Sequence, residues 1–148
     1  MSVIEHAVDI AAPPEVVWRV YVDPVRLPEW QTGNPVIEDV TGPGDRVGTT
    51  YVSRRGPGAA RTTIVESDPP GRLVTMTTAY FGLRFDVTSE LRAAGPGTRL
   101  TIRAETRWPR GAGVLGRLVE AVLLSGGEAR KELAALKALV ERERALPR

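Results

Sequence analysis

The 148-residue chain has no cysteine, one histidine and only eight aromatic residues outside it, three Trp, three Tyr and two Phe. Without cysteine there can be no disulfide framework, no thiolate metal site and no cysteine nucleophile. With His6 the sole imidazole, a metal site would fall to carboxylates alone. The acidic residues scatter over outward strand positions, so no metal is expected. A Ser-His-Asp hydrolase would have to use His6, and no serine sits in a Gly-x-Ser-x-Gly elbow. No glycine-rich segment has a strand before it and a helix after it at phosphate-loop spacing, so no nucleotide or other cofactor is expected. Long apolar runs are missing too, none approaching the ~18 residues of a membrane span. The first five residues lack a basic-then-apolar leader, and together these features predict a cytoplasmic protein without stable membrane insertion. Charge of one sign is also scarce: 20 Lys plus Arg face 18 Asp plus Glu, a net +2. So weak a field argues against nucleic acid as a partner.

What is present is punctuation and periodicity. In Ser2 to Ile10 the residues Ile4, His6, Val8 and Ile10 share one face, the pattern of a strand. Pro13 and Pro14 then mark a helix start, because proline at the first helical turn gives up an N–H that would be unpaired anyway. That helix is predicted over about 14–22, broken at Asp23-Pro24 and followed by a second short helix carrying Trp30. Two helices this short cannot form a bundle core, so they must clasp something larger.

After Asn34-Pro35 the chain divides into short β-rich runs separated by Gly and Pro clusters such as Gly42-Pro43-Gly44-Asp45 and Gly95-Pro96-Gly97. Strands are predicted near 36–41, 46–54, 60–67, 72–80, 83–93 and 98–108. In the last two, Leu83, Phe85, Val87, Ser89, Leu91 and Leu100, Ile102, Ala104, Thr106, Trp108 alternate with charged residues, giving one apolar and one wet face. From about Gly113 to Arg144 the period becomes helical, with Leu115, Leu118, Val119, Val122, Gly126, Ala129, Leu133, Leu136 and Val140 on one stripe. A helix of that length spans roughly 45 Å, enough to cross the whole sheet and close a cavity beneath it. No linker or repeat divides the chain, which reads as one domain over 1–148.

The segments Ile10-x-Ala12-Pro13-x-x-x-Val17-Trp18, Asp23-Pro24 with Trp30, Val47-Gly48-Thr49, Glu66-x-Asp68-Pro69-Pro70 and Gly97-Thr98-Arg99 together resemble the START-like (SRPBCC) superfamily. Within it the chain is most similar to the polyketide cyclase/dehydrase-like branch. The resemblance covers nearly the entire chain. It implies an α+β helix-grip fold: a seven-stranded antiparallel curved sheet wrapped around a long C-terminal helix, with two short helices after the first strand. It also implies a ligand cavity between sheet and helix, but not catalysis.

Inward strand positions supply the candidate ligand-binding residues: Trp30, Tyr51, Thr63, Met76, Thr78, Tyr80, Phe85, Thr106 and Trp108, joined by Leu118, Val122 and Gly126 from the helix. Val65 and Val87 are placed on the same faces. This mixture suits an amphipathic guest held by apolar walls and a few polar contacts. His6, Tyr51, Arg61 and Tyr80 are the candidates for proton transfer should the chain be an enzyme. Each has an ordinary reading beside it. A lone histidine is commonly a core imidazole, and an arginine near a turn commonly reaches solvent. Trp30 reads either as a wall of the cavity mouth or as a plug, and Trp18 as core. Ser125-Gly126-Gly127 reads as a flexible point in the helix or as a site of close packing.

Three functions follow. The leading expectation is binding of a small hydrophobic or aromatic ligand, polyketide-, lipid- or quinone-like. The second is a cofactor-independent cyclase, aromatase or dehydratase working mainly by positioning. The third is an adaptor for a protein partner. Either a monomer or a homodimer is compatible with all three.

Overall fold

The structure is a computed structural model that describes residues 2–32, 34–56, 58–79, 82–107 and 127–145. Strand β1 (Ser2–Ile10) leads into helix α1 (Pro14–Tyr21) and a 3-10 helix (Pro24–Glu29). Strands β2 (Val36–Glu38), β3 (Thr50–Arg55), β4 (Gly58–Asp68), β5 (Arg72–Thr78), β6 (Arg84–Ala94) and β7 (Gly97–Arg107) follow, then helix α2 (Gly127–Ala145). The strands form one antiparallel sheet in the order β1-β7-β6-β5-β4-β3-β2. Consecutive strands are neighbours from β2 to β7, as hairpin connections dictate, and β1 closes against β7.

The proline and aspartate signals act locally as expected. Pro13 caps α1 with Pro14 in its first turn. Asp23 opens the 3-10 helix, its Oδ1 accepting from the Val25 N–H at 3.0 Å. Trp30 stands at the C-terminal end of that helix rather than inside it. Strand β3 begins four residues later than predicted because Gly42 to Thr49 form a turn instead. Gly48 there takes φ of +92°, a left-handed conformation suited to glycine. The turn is held by backbone bonds from Gly48 N to Ile64 O at 2.8 Å and from Ile64 N to Thr49 O at 2.9 Å.

At one end of the sheet the interior is solid. Ile10, Leu100, Leu73 and Leu91 meet Val17 and Trp18 of α1 and Leu133, Leu136 and Val140 of α2 in one buried cluster. Thr98 is buried among them because its hydroxyl donates to the Ala12 carbonyl at 2.7 Å. Helix α2 is tied down polar group by polar group: Lys137 Nζ donates to Asp9 O at 2.8 Å, and the Ala11 N–H donates to Glu141 Oε2 at 2.8 Å. Glu143 pairs with Arg26 of the 3-10 helix. The predicted helix from 113 is described from Gly127 onward; Leu118, Val122, Gly126 and Ser125 lie outside the described residues. Among the described residues no helix is long and apolar enough to cross a membrane.

The wet face carries the charged half of the alternation. Arg72 bridges Glu66 and Glu90, and Asp86 receives both Arg84 and Arg107. Each such exposed pair contributes about 0–1 kcal/mol.

Candidate ligand-binding site

Directly opposed residues of an antiparallel sheet share a face, so register alone defines the inner wall. Four rows cross it. The first runs Tyr51, Thr62, Thr77, Phe85, Thr106 from β3 to β7. The second is Ile64, Thr75, Val87, Ala104, Ile4, and the third is Ser67, Leu73, Ser89, Ile102, His6. The fourth, Leu91, Leu100, Val8, belongs to the solid core.

The rows differ in closure. Leu91 and Leu100 are buried, as are Thr62, Ile64, Leu73, Ser89 and Thr106 within the other rows, whereas Phe85, Val87, Ala104, Ile4, Thr75, Thr77 and Tyr51 remain half-buried. Apolar groups left partly accessible on the concave side of a sheet, beside a fully packed end, form the lining of a binding surface.

Hydroxyls mark its polar points. Thr62 Oγ1 and Thr77 Oγ1 are 2.8 Å apart, and the Tyr51 phenol lies beside Thr62, so hydroxyls gather at one end of the first row. Thr106, 1% exposed, has no partner for its hydroxyl among the described residues, and neither does His6 Nε2. A buried polar group left in that state costs about 1–3 kcal/mol. In the third row the Tyr21 hydroxyl reaches Ser89 Oγ at 2.5 Å. Tyr21 is stacked on Trp30 with ring centroids 5.6 Å apart, so α1 and the end of the 3-10 helix lay an aromatic pair over the sheet at Ser89. Trp30, buried at 7% exposure, seals this corner.

Burial disfavours both phenolates. The Tyr21 phenol is pushed up to about 12, partly offset by the Ser89 hydrogen bond and reinforced by Tyr51 and Glu132 nearby. Burial likewise raises Tyr51, against the Thr62 hydrogen bond. Both groups are neutral donors at ordinary pH. A folded value above the unfolded one means the native state holds its proton more tightly, so this stabilisation is complete below pH 10 and disappears as pH rises toward about 12. Spectrophotometric titration should therefore find a tyrosine ionising well above the free value, and Tyr21→Phe should flatten the alkaline decline of the denaturation midpoint.

Several sequence assignments change here. Tyr51, Phe85, Val87 and Thr106 occupy the inner wall as expected, and so does His6. Thr63 and Met76 oppose each other and Asp86 on the outer face, and Arg61 and Thr78 oppose each other there too, so all four point away from the candidate site. Val65 is exposed at the bulge between Ile64 and Glu66. The cause is mixed parity: β4 and β5 carry apolar residues on both faces, and the bulge shifts the alternation by one. Tyr80 and Trp108 lie outside the described residues. Thr62, Thr77 and Ser89 stand on the inner face instead, with Tyr21 reaching Ser89 from α1. Ser89 was legible from its own strand, whereas Tyr21 reaches the wall only through tertiary packing.

A second concavity of about 530 Å³ lies between α1, the 3-10 helix and the C-terminal end of α2, lined by Pro13, Val16, Arg19, Val20, Arg26, Glu143 and Arg144. It is an open, charged cleft, and Arg26 within it is bonded to Glu29 and Glu143.

A family model described as polyketide cyclase / dehydrase and lipid transport matches residues 1–141. The chain belongs to this family. Solved structures share the architecture. A Chromobacterium violaceum protein is 23% identical, with 94% of this chain and 96% of that one aligned and a TM-score of 0.67. A norcoclaurine synthase point mutant from Thalictrum flavum, solved with a transition-state analogue, is 19% identical over 97% of this chain and 96% of its own, at a TM-score of 0.71. An Arthrobacter aurescens protein reaches 0.74 at 15% identity, covering 95% of this chain and 86% of its own. At these identities the likeness is one of fold. No curated protein sequence matches the chain. As a polyketide cyclase/dehydrase and lipid transport family member, the protein has the helix-grip sheet and C-terminal helix that the sequence resemblance implied.

Proposed function

We propose that this protein binds a small hydrophobic or aromatic molecule, of polyketide, lipid or quinone type, on the inner wall of the sheet. The observation that carries the reading is the contrast between the packed Leu91–Leu100 end and the half-buried Phe85, Val87, Ala104 and Ile4. Family membership supports it, since the family's description joins cyclase and dehydrase chemistry to lipid transport. The protein acts in the cytoplasm without bound cofactor. Native mass spectrometry of freshly purified protein should reveal a co-purifying small molecule, and an environment-sensitive aromatic dye should be taken up. Bare protein that takes up no dye would refute the proposal.

One observation favours a catalytic variant of this reading. His6 lies on the inner wall with its Nε2 buried and without a partner among the described residues, and imidazole is the side chain most often used for proton transfer. In a cyclase or dehydratase, His6→Gln should abolish turnover and leave ligand affinity within about twofold, because the apolar wall is untouched. Equal loss of binding and turnover would remove the catalytic role. Arg61, on the outer face, takes no part.

A further inference from the structure

The rows of the inner wall are banded by chemistry as well as by closure, and the banding describes a ligand more closely than hydrophobicity alone. The first row is a line of hydroxyls, Tyr51, Thr62, Thr77 and Thr106, interrupted by Phe85. The second, Ile64, Thr75, Val87, Ala104 and Ile4, is apolar but for Thr75. The third turns polar again at Ser89, with Tyr21 bonded to it, and at His6. Alternate residues on one face are about 6.6 Å apart along a strand, so the two polar bands stand about 13 Å apart across an apolar strip.

Charge is sorted just as sharply. Arg61, Arg84, Arg99, Arg103, Arg107, Asp86, Glu90 and Glu105 fall on the outer face by register. Among the described strand residues Arg55 is the charged residue sharing the inner parity, and it is engaged at the rim by Gln31 Oε1 at 3.1 Å and Glu132 at 3.9 Å. A carboxylate or phosphate drawn onto this wall would lose its water and meet neutral hydroxyls, a desolvation that such donors do not offset. Neutral oxygens suit the wall, because phenols and threonines both donate to and accept from hydroxyl or carbonyl groups.

We infer that the ligand is an elongated neutral molecule with an apolar middle and a hydroxyl or carbonyl oxygen toward each end, one meeting the half-buried Tyr51 and Thr77 of the first band and the other the half-buried Tyr21 beside Ser89. This rests on the binding reading above and narrows it by excluding fatty acids and phospholipids as preferred guests.

Isothermal titration at about pH 8 separates the possibilities with three probes. Estradiol is a rigid neutral ring system with a hydroxyl at each end, phenanthrene an apolar ring system without oxygens, and oleate an anionic chain. Estradiol should bind at least about tenfold more tightly than oleate. Tyr51→Phe and Tyr21→Phe should each weaken estradiol about fivefold, the loss of one hydrogen bond, while leaving phenanthrene unchanged. Phenanthrene binding serves as the check that each variant is folded. Oleate binding as tightly as estradiol, or variants that affect phenanthrene as much as estradiol or affect neither, would overturn the inference and leave the cavity intact. Failure of all three probes to bind would overturn the binding reading with it.

Discussion

Leu136→Ala should lower the unfolding free energy by about 2–5 kcal/mol, the range for removing a fully buried leucine and leaving a cavity. The side chain is 0% exposed and belongs to the cluster that joins Ile10 and Leu100 of the sheet to Val17 of α1 and Val140 of α2. Sheet and helices are fixed around it on three sides, so little collapse into the space is available and the upper part of the range is expected. For a domain whose whole stability is about 5–15 kcal/mol, the loss is a large fraction. Urea denaturation should show a lower midpoint with an unchanged slope. A shift worth under about 0.5 kcal/mol, the size of a surface substitution, would mean that α2 does not pack here.

Gly44→Ala should be nearly as damaging, for a different reason. A Cβ at this position would sit 1.7 Å from the Val22 carbonyl oxygen, 2.7 Å from its carbon and 2.9 Å from Pro24 Cδ. Two of these atoms are backbone, at the junction of α1 with the 3-10 helix, and cannot step aside as a side chain would. The turn from Gly42 to Thr49 must move off α1, at the cost of about 1–3 kcal/mol or more typical of overpacking. It also leads into β3, which carries Tyr51, so dye uptake should fall along with the melting temperature. Gly56→Ala is the control. Its φ of +58° strains an alanine, yet nothing lies within 4 Å of the added carbon, so about 1 kcal/mol and no change in uptake are expected. Equal effects of the two substitutions would show that the Gly44 contact is not formed.

The strands that could be read from sequence are those in which polarity and parity coincide. In β6 and β7 every second residue is charged or polar, so Phe85, Val87, Ser89 and Thr106 were placed on the correct face without coordinates. Strands β4 and β5 offer no such agreement. Ile64 and Val65 are adjacent, as are Leu73 and Val74, and a bulge between Ile64 and Glu66 changes the count partway along. Thr63, Met76, Thr78 and Arg61 were therefore assigned to a wall they do not face. The Tyr21–Ser89 contact joins residues 68 positions apart, and no local pattern encodes it.

Prolines, glycines and alternation along the chain were enough to establish the order of elements, the strand-rich centre and the helical end, because each acts through backbone sterics or through the side-chain period of its own segment. The lack of cysteine excluded thiol chemistry, and the lack of a glycine loop between strand and helix excluded phosphate-loop chemistry. Which hydroxyls gather on one wall, how the charges are turned outward, and where packing stops were decided by register between strands and by the docking of α1 and α2. Those are long-range pairings, set by how whole faces fit together, and no single segment contains them.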